Sequence, residues 1–375
     1  MVSAKERARR EEVATLREAA ARGDARAQCR IGEMYDRGEG DVRQDETEAA
    51  RWYRRAAELG DAEAQNLLGD LFGRAVSVEQ GDGEASVWWR KAALQGCARA
   101  QHSLACSLAD SDTEEAVAWW RRAAAQGHAP AQHRLALCLQ AGLGTARDEA
   151  EAAAWLQRAA EHGVRDAQCA LGGALADGSL GLKRDDALAI RWLQRAAKLG
   201  SAEAMRRLGV CCERGAGFAR SDANAVRWFR KAAKAGSAEA MCALGSACMR
   251  GAGVAQDALE AERWYRAAAA EGLPHAQHWL ALRWLGDAAG GAPDPTAAAS
   301  MLAQAAQSGY ELALASLAEY AHVREVASFC CTGCGATKRL HACSECETAR
   351  FCGKECRQRM WPTHKMCCKG WQRGA

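Results

Sequence analysis

The chain has 375 residues, 49% of them hydrophobic, and its 50 Lys and Arg nearly balance 47 Asp and Glu, for a net charge of +3. That balance excludes a polyanion binder on charge alone, and the length allows two or more domains or one elongated array. Five prolines and 6% aromatic residues suit a helical protein better than an all-β one.

The opening residues, "MVSAKERARREEVATL", are charged and lack an apolar run. They do not read as a secretory signal, and no stretch reaches the ~18 apolar residues of a membrane span. A cytoplasmic or nuclear chain is expected, neither secreted nor in a membrane, with reduced thiols. Cys29, Cys97, Cys106, Cys138, Cys169, Cys211, Cys212, Cys242 and Cys248 fall in helical segments and are expected to be small buried hydrophobes.

Two phrases recur along residues 23–309. "DAEAQNLLGDLFG", "SAEAMRRLGVCCERGAG" and "SAEAMCALGSACMRGAG" make the first; "AARWYRRAAELG", "ASVWWRKAALQG", "AVRWFRKAAKAG" and "AERWYRAAAAEG" make the second. A glycine closes the second phrase at 23, 60, 96, 127, 163, 200, 236, 272 and 309. Seven of the eight gaps are 36 or 37 residues; one is 31, where residues 108–113 shorten the third unit's loop.

Each unit predicts two helices. Helix A starts after a Ser or Asp N-cap, clearest at Asp61, Ser201 and Ser237, with a glutamate where the helix dipole favours it. Its Ala, Leu and Gly form a small-residue face for close helix approach. Helix B often starts at Asp with Glu three residues on, as in "DETE", "DEAE" and "DALE", a capping-box pattern. Trp52 with Ala56, Trp228 with Ala232 and Trp264 with Ala268 share one helical face. The Trp stripe is expected to be core, not a cofactor box, and the closing glycine a left-handed C-cap. Such a pair buries its apolar face only against its neighbours, giving an all-α fold, a right-handed α/α solenoid of about eight units.

The expected divisions are a capping helix over 1–22, the solenoid over 23–309, a terminal helix or linker over 310–327, a cysteine-rich domain over 328–370 and a tail over 371–375. The paired phrases resemble the Sel-one-like repeat, a relative of tetratricopeptide repeats. The resemblance implies an interaction scaffold.

Nine of the 18 cysteines crowd between Cys330 and Cys368. Cys331 and Cys334, then Cys343 and Cys346, are x2 knuckles; Cys352 and Cys356 lie a helical turn apart, as do His364 and Cys368. Four pairs make two closed tetrahedral sites, and thiolates with an imidazole suit zinc. Spacing alone leaves sequential and interleaved pairing open. With Phe351 before the fifth cysteine and Trp361 five residues after the sixth, the pattern resembles the MYND-type zinc finger. That resemblance implies a cross-brace: one zinc on Cys331, Cys334, Cys352 and Cys356, the other on Cys343, Cys346, His364 and Cys368. Cys330 and Cys367 are spare thiols, and His341 a surface or supporting imidazole. Both Zn²⁺ ions are structural, since every position is filled by protein.

The resemblance also implies protein binding, including proline-rich peptides in a shallow groove. Arg357 stands where the family usually has glutamine, with Gln358 one later, so peptide contact at Arg357, Gln358 and Trp361 departs from the pattern. From Ser328 onward nine Lys or Arg face three Glu, an excess halved once two Zn²⁺ and seven thiolates are counted. No aromatic interleaving or recognition-helix pattern accompanies it, so sequence-specific nucleic-acid binding is not expected. Nor is a small-molecule substrate: there is no nucleotide-binding glycine loop, H-E-x-x-H motif or nucleophile elbow, and no room for a methyltransferase or F-box domain beside the repeats. The expectation is a non-enzymatic protein adaptor. The alternatives are a nuclear, chromatin-associated regulator and an adaptor that recruits a ubiquitin ligase or a chaperone.

Overall fold

The structure, a computed structural model, describes residues 4–39, 42–74, 81–285, 295–319, 341–342 and 350–351. It is an all-helical solenoid whose helices pack in consecutive pairs. The chain divides after Trp192 into two compact units.

Unit 1 opens with α1 (Ala4–Ala21). Helices A follow as α2 (Ala25–Arg37), α4 (Ala62–Arg74), α6 (Ala98–Leu108), α8 (Ala129–Ala141) and α10 (Arg165–Asp177). Helices B are α3 (Glu46–Glu58), α5 (Gly81–Leu94), α7 (Thr113–Ala125) and α9 (Glu149–Glu161); α11 (Asp186–Lys198) straddles the division. Unit 2 continues with α12 (Ala202–Arg214), α13 (Asp222–Lys234), α14 (Ala238–Arg250), α15 (Ala258–Ala270), α16 (Pro274–Leu285), α17 (Pro295–Gln307) and α18 (Glu311–Glu319). A two-residue antiparallel ladder, β1 (His341–Ala342) with β2 (Arg350–Phe351), sets His341 opposite Phe351. The helical reading of the sequence had no place for it.

The caps form as the sequence requires. Asp61, Ser201 and Ser237 accept the backbone N–H three residues on. So do Asp45, Asp148 and Asp257 at helices B. After α3 the closing Gly60 sits at φ 93°, a conformation that costs a side-chain-bearing residue energy.

The reciprocal half of the capping box does not form. The N–H groups of Asp45, Asp148 and Asp257 already donate to the carbonyls of Tyr35, Leu139 and Cys248 on the preceding helix A, at 2.9 to 3.0 Å. Glu48, Glu151 and Glu260 are therefore free to bond elsewhere.

The core is a series of small clusters, each shared by a repeat and its neighbour, as a solenoid requires. The helix-A glycine has a sharper role than general closeness. A Cβ on Gly32 would lie 2.6 Å from the Tyr53 ring, one on Gly69 2.6 Å from Trp89, and one on Gly245 2.8 Å from Tyr265. The glycine is a socket for the ring that follows the repeat's Trp position. Where that residue is Leu156 or Leu302, Ala136 or Ala281 stands in the socket position. Trp120 departs from the rule by sharing its cluster with Ala105, in the unit whose helix A is shortest, and Leu193 departs from it by following a helix A with Gly172 at the socket position.

The Trp stripe itself sits nearer the surface than expected. Trp119 and Trp192 are buried, but Trp52, Trp88, Trp155, Trp228 and Trp264 are half-buried. The residue after the Trp fills the core in every helix B but α5, where Trp89 is half-buried, while a Trp face lies under a cation three residues on. Arg55, Lys91, Arg122, Arg158 and Lys231 cover Trp52, Trp88, Trp119, Trp155 and Trp228 at 4.0 to 4.9 Å.

Seven of the nine helical-region cysteines are buried, as expected. Cys106 is exposed, and Cys97 is half-buried at the N-cap of α6. Cys106 occupies the helix-A column of Glu33 and Asp70, which faces outward; its Sγ lies 3.6 Å from His102 Nε2.

Candidate interaction surfaces and the zinc-finger residues

Two polar networks determine what each repeat shows to solvent. The first is a glutamine ladder. Gln28, Gln65, Gln101, Gln132, Gln168 and Gln277 are at least nine-tenths buried at one helix-A position. Each Nε2 donates to a carbonyl eight residues earlier, at the end of the preceding helix B; Gln65 reaches Ala57 O at 3.0 Å and Gln101 reaches Ala93 O at 3.1 Å. In Gln65, Gln101 and Gln132 the oxygen meets a side chain at the end of the following helix B, whereas the oxygens of Gln28, Gln168 and Gln277 are buried without a partner. Gln95 donates to Gln65 at 2.8 Å, Gln126 to Gln101 at 2.9 Å, and His162 Nδ1 lies 3.1 Å from Gln132 Oε1. Met205 and Met241 hold this position in two repeats of unit 2.

The sequence reading missed this ladder. Its signal was Gln recurring four residues into helix A, with Gln95 and Gln126 just before closing glycines.

The second network uses the glutamates released from the caps. Glu151 accepts from Trp155 Nε1 at 3.1 Å and from Arg121 on the preceding helix B. Glu115 accepts from Trp119 Nε1 at 3.0 Å and from Arg90 at 2.6 Å. Glu260 accepts from Trp264 at 3.3 Å and pairs with Arg230 at 3.7 Å. The arginine and tryptophan hydrogen bonds hold the Glu115 and Glu151 carboxyls below their usual range.

On the helix-A side of unit 1, Asp36, Leu67, Asp70, Arg74, Trp89 and Arg99 line a depression. Asp70 accepts from Trp89 Nε1 at 2.9 Å and from Arg99 at 3.4 Å, and Arg74 reaches Asp36 at 3.4 Å. These charges are already paired with one another, so a partner would have to replace existing bonds.

The buried thiols are chemically quiet. Burial, with Asp61 and Glu33 beside it, pushes Cys29 up to about 12, and burial pushes Cys242 up to about 11. Neither is a thiolate at neutral pH. Burial, with His128 and Arg134 nearby, pushes His102 down to about 4. Among the described residues no group of three or more His, Cys, Asp or Glu could hold a metal ion, and no helix is long and apolar enough to cross a membrane.

The sequence-predicted ligands Cys331, Cys334, Cys343, Cys346, Cys352, Cys356, His364 and Cys368 lie outside the described residues, as do Cys330, Cys367, Arg357, Gln358 and Trp361. Of the finger's singled-out residues, His341 and Phe351 are described, as partners in the β1–β2 ladder.

A stack of paired helices carrying buried small-residue sockets is a helical repeat protein. Eight contiguous matches to the Sel1 repeat cover residues 25–61, 62–97, 98–128, 129–164, 165–201, 202–237, 238–273 and 274–310, and a MYND finger match covers 331–368. The chain belongs to the Sel1-repeat proteins and carries a C-terminal MYND finger, a zinc-binding module. Among solved structures it is similar to a protective antigen of uropathogenic Escherichia coli with an SLR fold. The two are 30% identical, with 84% of this chain and 70% of that one covered and a TM-score of 0.69. It is also similar to a Sel1 repeat protein from Oxalobacter formigenes, 33% identical over 75% of this chain and 82% of that one, with a TM-score of 0.57. No curated protein matches the chain. Sel1 repeats and MYND fingers are typically non-catalytic modules that mediate protein–protein interactions.

Proposed function

We propose that this protein is a non-enzymatic adaptor, in which the repeats over 23–309 hold one protein and the finger over 328–370 holds another or the same one. The observation that carries the reading is the contrast between constant and variable positions of the repeat. Buried Ala, Leu, socket glycines and ladder glutamines recur from unit to unit. The helix-A position two before the ladder residue instead runs Arg26, Glu63, Arg99, Pro130, Asp166, Glu203, Glu239 and His275, all exposed except the half-buried Glu203. The fold therefore leaves these side chains free to be specific for a partner.

In the finger, Cys331, Cys334, Cys352 and Cys356 hold one structural Zn²⁺, and Cys343, Cys346, His364 and Cys368 the other. Closed tetrahedral sites of this kind couple folding to metal, at ~10–16 kcal/mol each at neutral pH. Arg357, Gln358 and Trp361 are the residues that this reading assigns to contact with a proline-rich segment. The reading places the protein in the cytoplasm or nucleus.

The test is affinity capture with mass spectrometry from cells, using the full chain beside a Cys331→Ser, Cys352→Ser variant. Specific proteins on the intact chain, some lost with the finger, are expected. Recovery of nucleic acid and its attendant proteins alone, released by nuclease, would replace the adaptor with a chromatin-associated regulator.

A further inference from the structure

Helices B share a scaffold but not a charge pattern. On α13, Arg227, Arg230, Lys231 and Lys234 stand at i, i+3, i+4 and i+7, so they share one face, and all four are exposed. They span about 10 Å of helix. The fold does not ask for them. The position of Arg227 is also arginine at Arg51, Arg191 and Arg263 but is Val87, Ala118 and Ala154 elsewhere, and that of Lys234 is Lys198 in α11 but Glu58, Leu94, Ala125, Glu161 and Ala270 elsewhere; α13 alone fills all four positions with cations. Arg227 and Lys234 have no ion-pair partner among the described residues, and Lys231 is held only over the Trp228 ring at 4.4 Å. Arg230 has the one acidic neighbour, Glu260 on α15 at 3.7 Å.

We infer that the exposed face of α13 is a docking surface for an acidic, Glu- or Asp-rich segment of a partner protein; the inference rests on the adaptor reading and names its partner chemistry. Four cations within about two helical turns, three without a carboxylate, lower the free energy of a bound anion and steer its approach. One observation favours a polypeptide over a nucleic-acid strand. Trp228 is covered by Lys231, so the face offers no platform for stacking bases.

The test measures fluorescence anisotropy of a labelled 16-residue peptide of alternating Glu and Ser with the full-length zinc-loaded protein, beside a labelled 20-nucleotide single-stranded DNA of random sequence. Binding of the peptide that weakens with salt is expected. Arg227→Glu with Lys231→Glu and Lys234→Glu should weaken it at least tenfold. Arg51→Glu with Arg54→Glu, the same column on α3, should leave it within twofold. These side chains are exposed, and an unchanged circular-dichroism melt confirms that each variant folds. No peptide binding, equal loss in both variants, or tighter DNA binding abolished by the α13 variant would overturn the inference. Captured cellular partners that the α13 variant retains would overturn it while leaving the adaptor reading intact.

Discussion

Gln95 donates its side-chain amide to Gln65 Oε1 at 2.8 Å, and Gln65 in turn donates to Ala57 O at 3.0 Å. One buried amide thus ties the end of one helix B to the end of the next. In the first repeat, Leu59 occupies the place of Gln95, and Gln28 Oε1 is buried without a partner. Leu59 is 59% exposed, so replacing it removes little core. Leu59→Gln should supply the missing donor and stabilise the first repeat by about 0.5–1.5 kcal/mol. Urea denaturation checks this; an unchanged or lower midpoint would sink it. Gln101→Leu should act oppositely, destabilising by about 1–3 kcal/mol, because it removes both hydrogen bonds of the buried amide, to Ala93 O and from Gln126.

The socket rule gives a coupling test. Gly32→Ala alone should destabilise by about 1–3 kcal/mol, since the new methyl overlaps the Tyr53 ring. Combined with Tyr53→Leu, which recreates the Ala136–Leu156 pairing, it should cost less than the two single changes summed. A double-mutant cycle measures that coupling, and additivity would show that the socket does not act as argued.

Acid should loosen unit 1 in two stages. His102 has its pKa depressed from 6.5 to about 4 by burial, so between those values the unfolded chain takes a proton that the folded one refuses. Stability therefore falls as pH drops from 6.5 toward 4. His128 and His133 are shifted the same way. Glu115 and Glu151, with depressed carboxyl pKa values, add a further loss only below their unfolded value of 4.5. Melting temperatures across pH 4.5–7 should fall less steeply in His102→Gln than in the parent; equal slopes would remove His102 from the account.

For the finger, elemental analysis of the purified chain should find two zinc ions, and His364→Ala should lose one. A parent stoichiometry of zero or one would reject the two-site assignment.

The repeat was legible because its signals are local. Closing glycines such as Gly60, caps such as Asp148 and the Trp-centred phrases each reflect chemistry within a few residues of chain. What was not legible depends on the neighbouring helix. "DEAE" reads as a capping box, but Leu139 O takes the Asp148 N–H and turns Glu151 outward to Trp155 and Arg121. Gln65 reads as a solvated polar residue because glutamines usually are; only the carbonyl of Ala57 makes its burial tolerable. Cys106 reads as buried until aligned with Glu33 and Asp70. In the finger, ligand spacing names Cys331 through Cys368, while the pairing among them is set by tertiary structure and cannot be read from spacing.

Met205 and Met241 give the glutamine ladder one more meaning. At those two repeats a methionine replaces the amide that would cross to the preceding helix B, and among the described residues cohesion there rests on packing, cap bonds and ion pairs such as Arg250 with Glu213. An array held by nearest neighbours opens at its weakest joint. The stretch around α12 and α14 is therefore the pliant part of the repeats, where backbone amides should exchange with solvent soonest. The cationic row on α13 lies within that same stretch, so the surface with the most charge to offer is carried by the segment best able to adjust its shape.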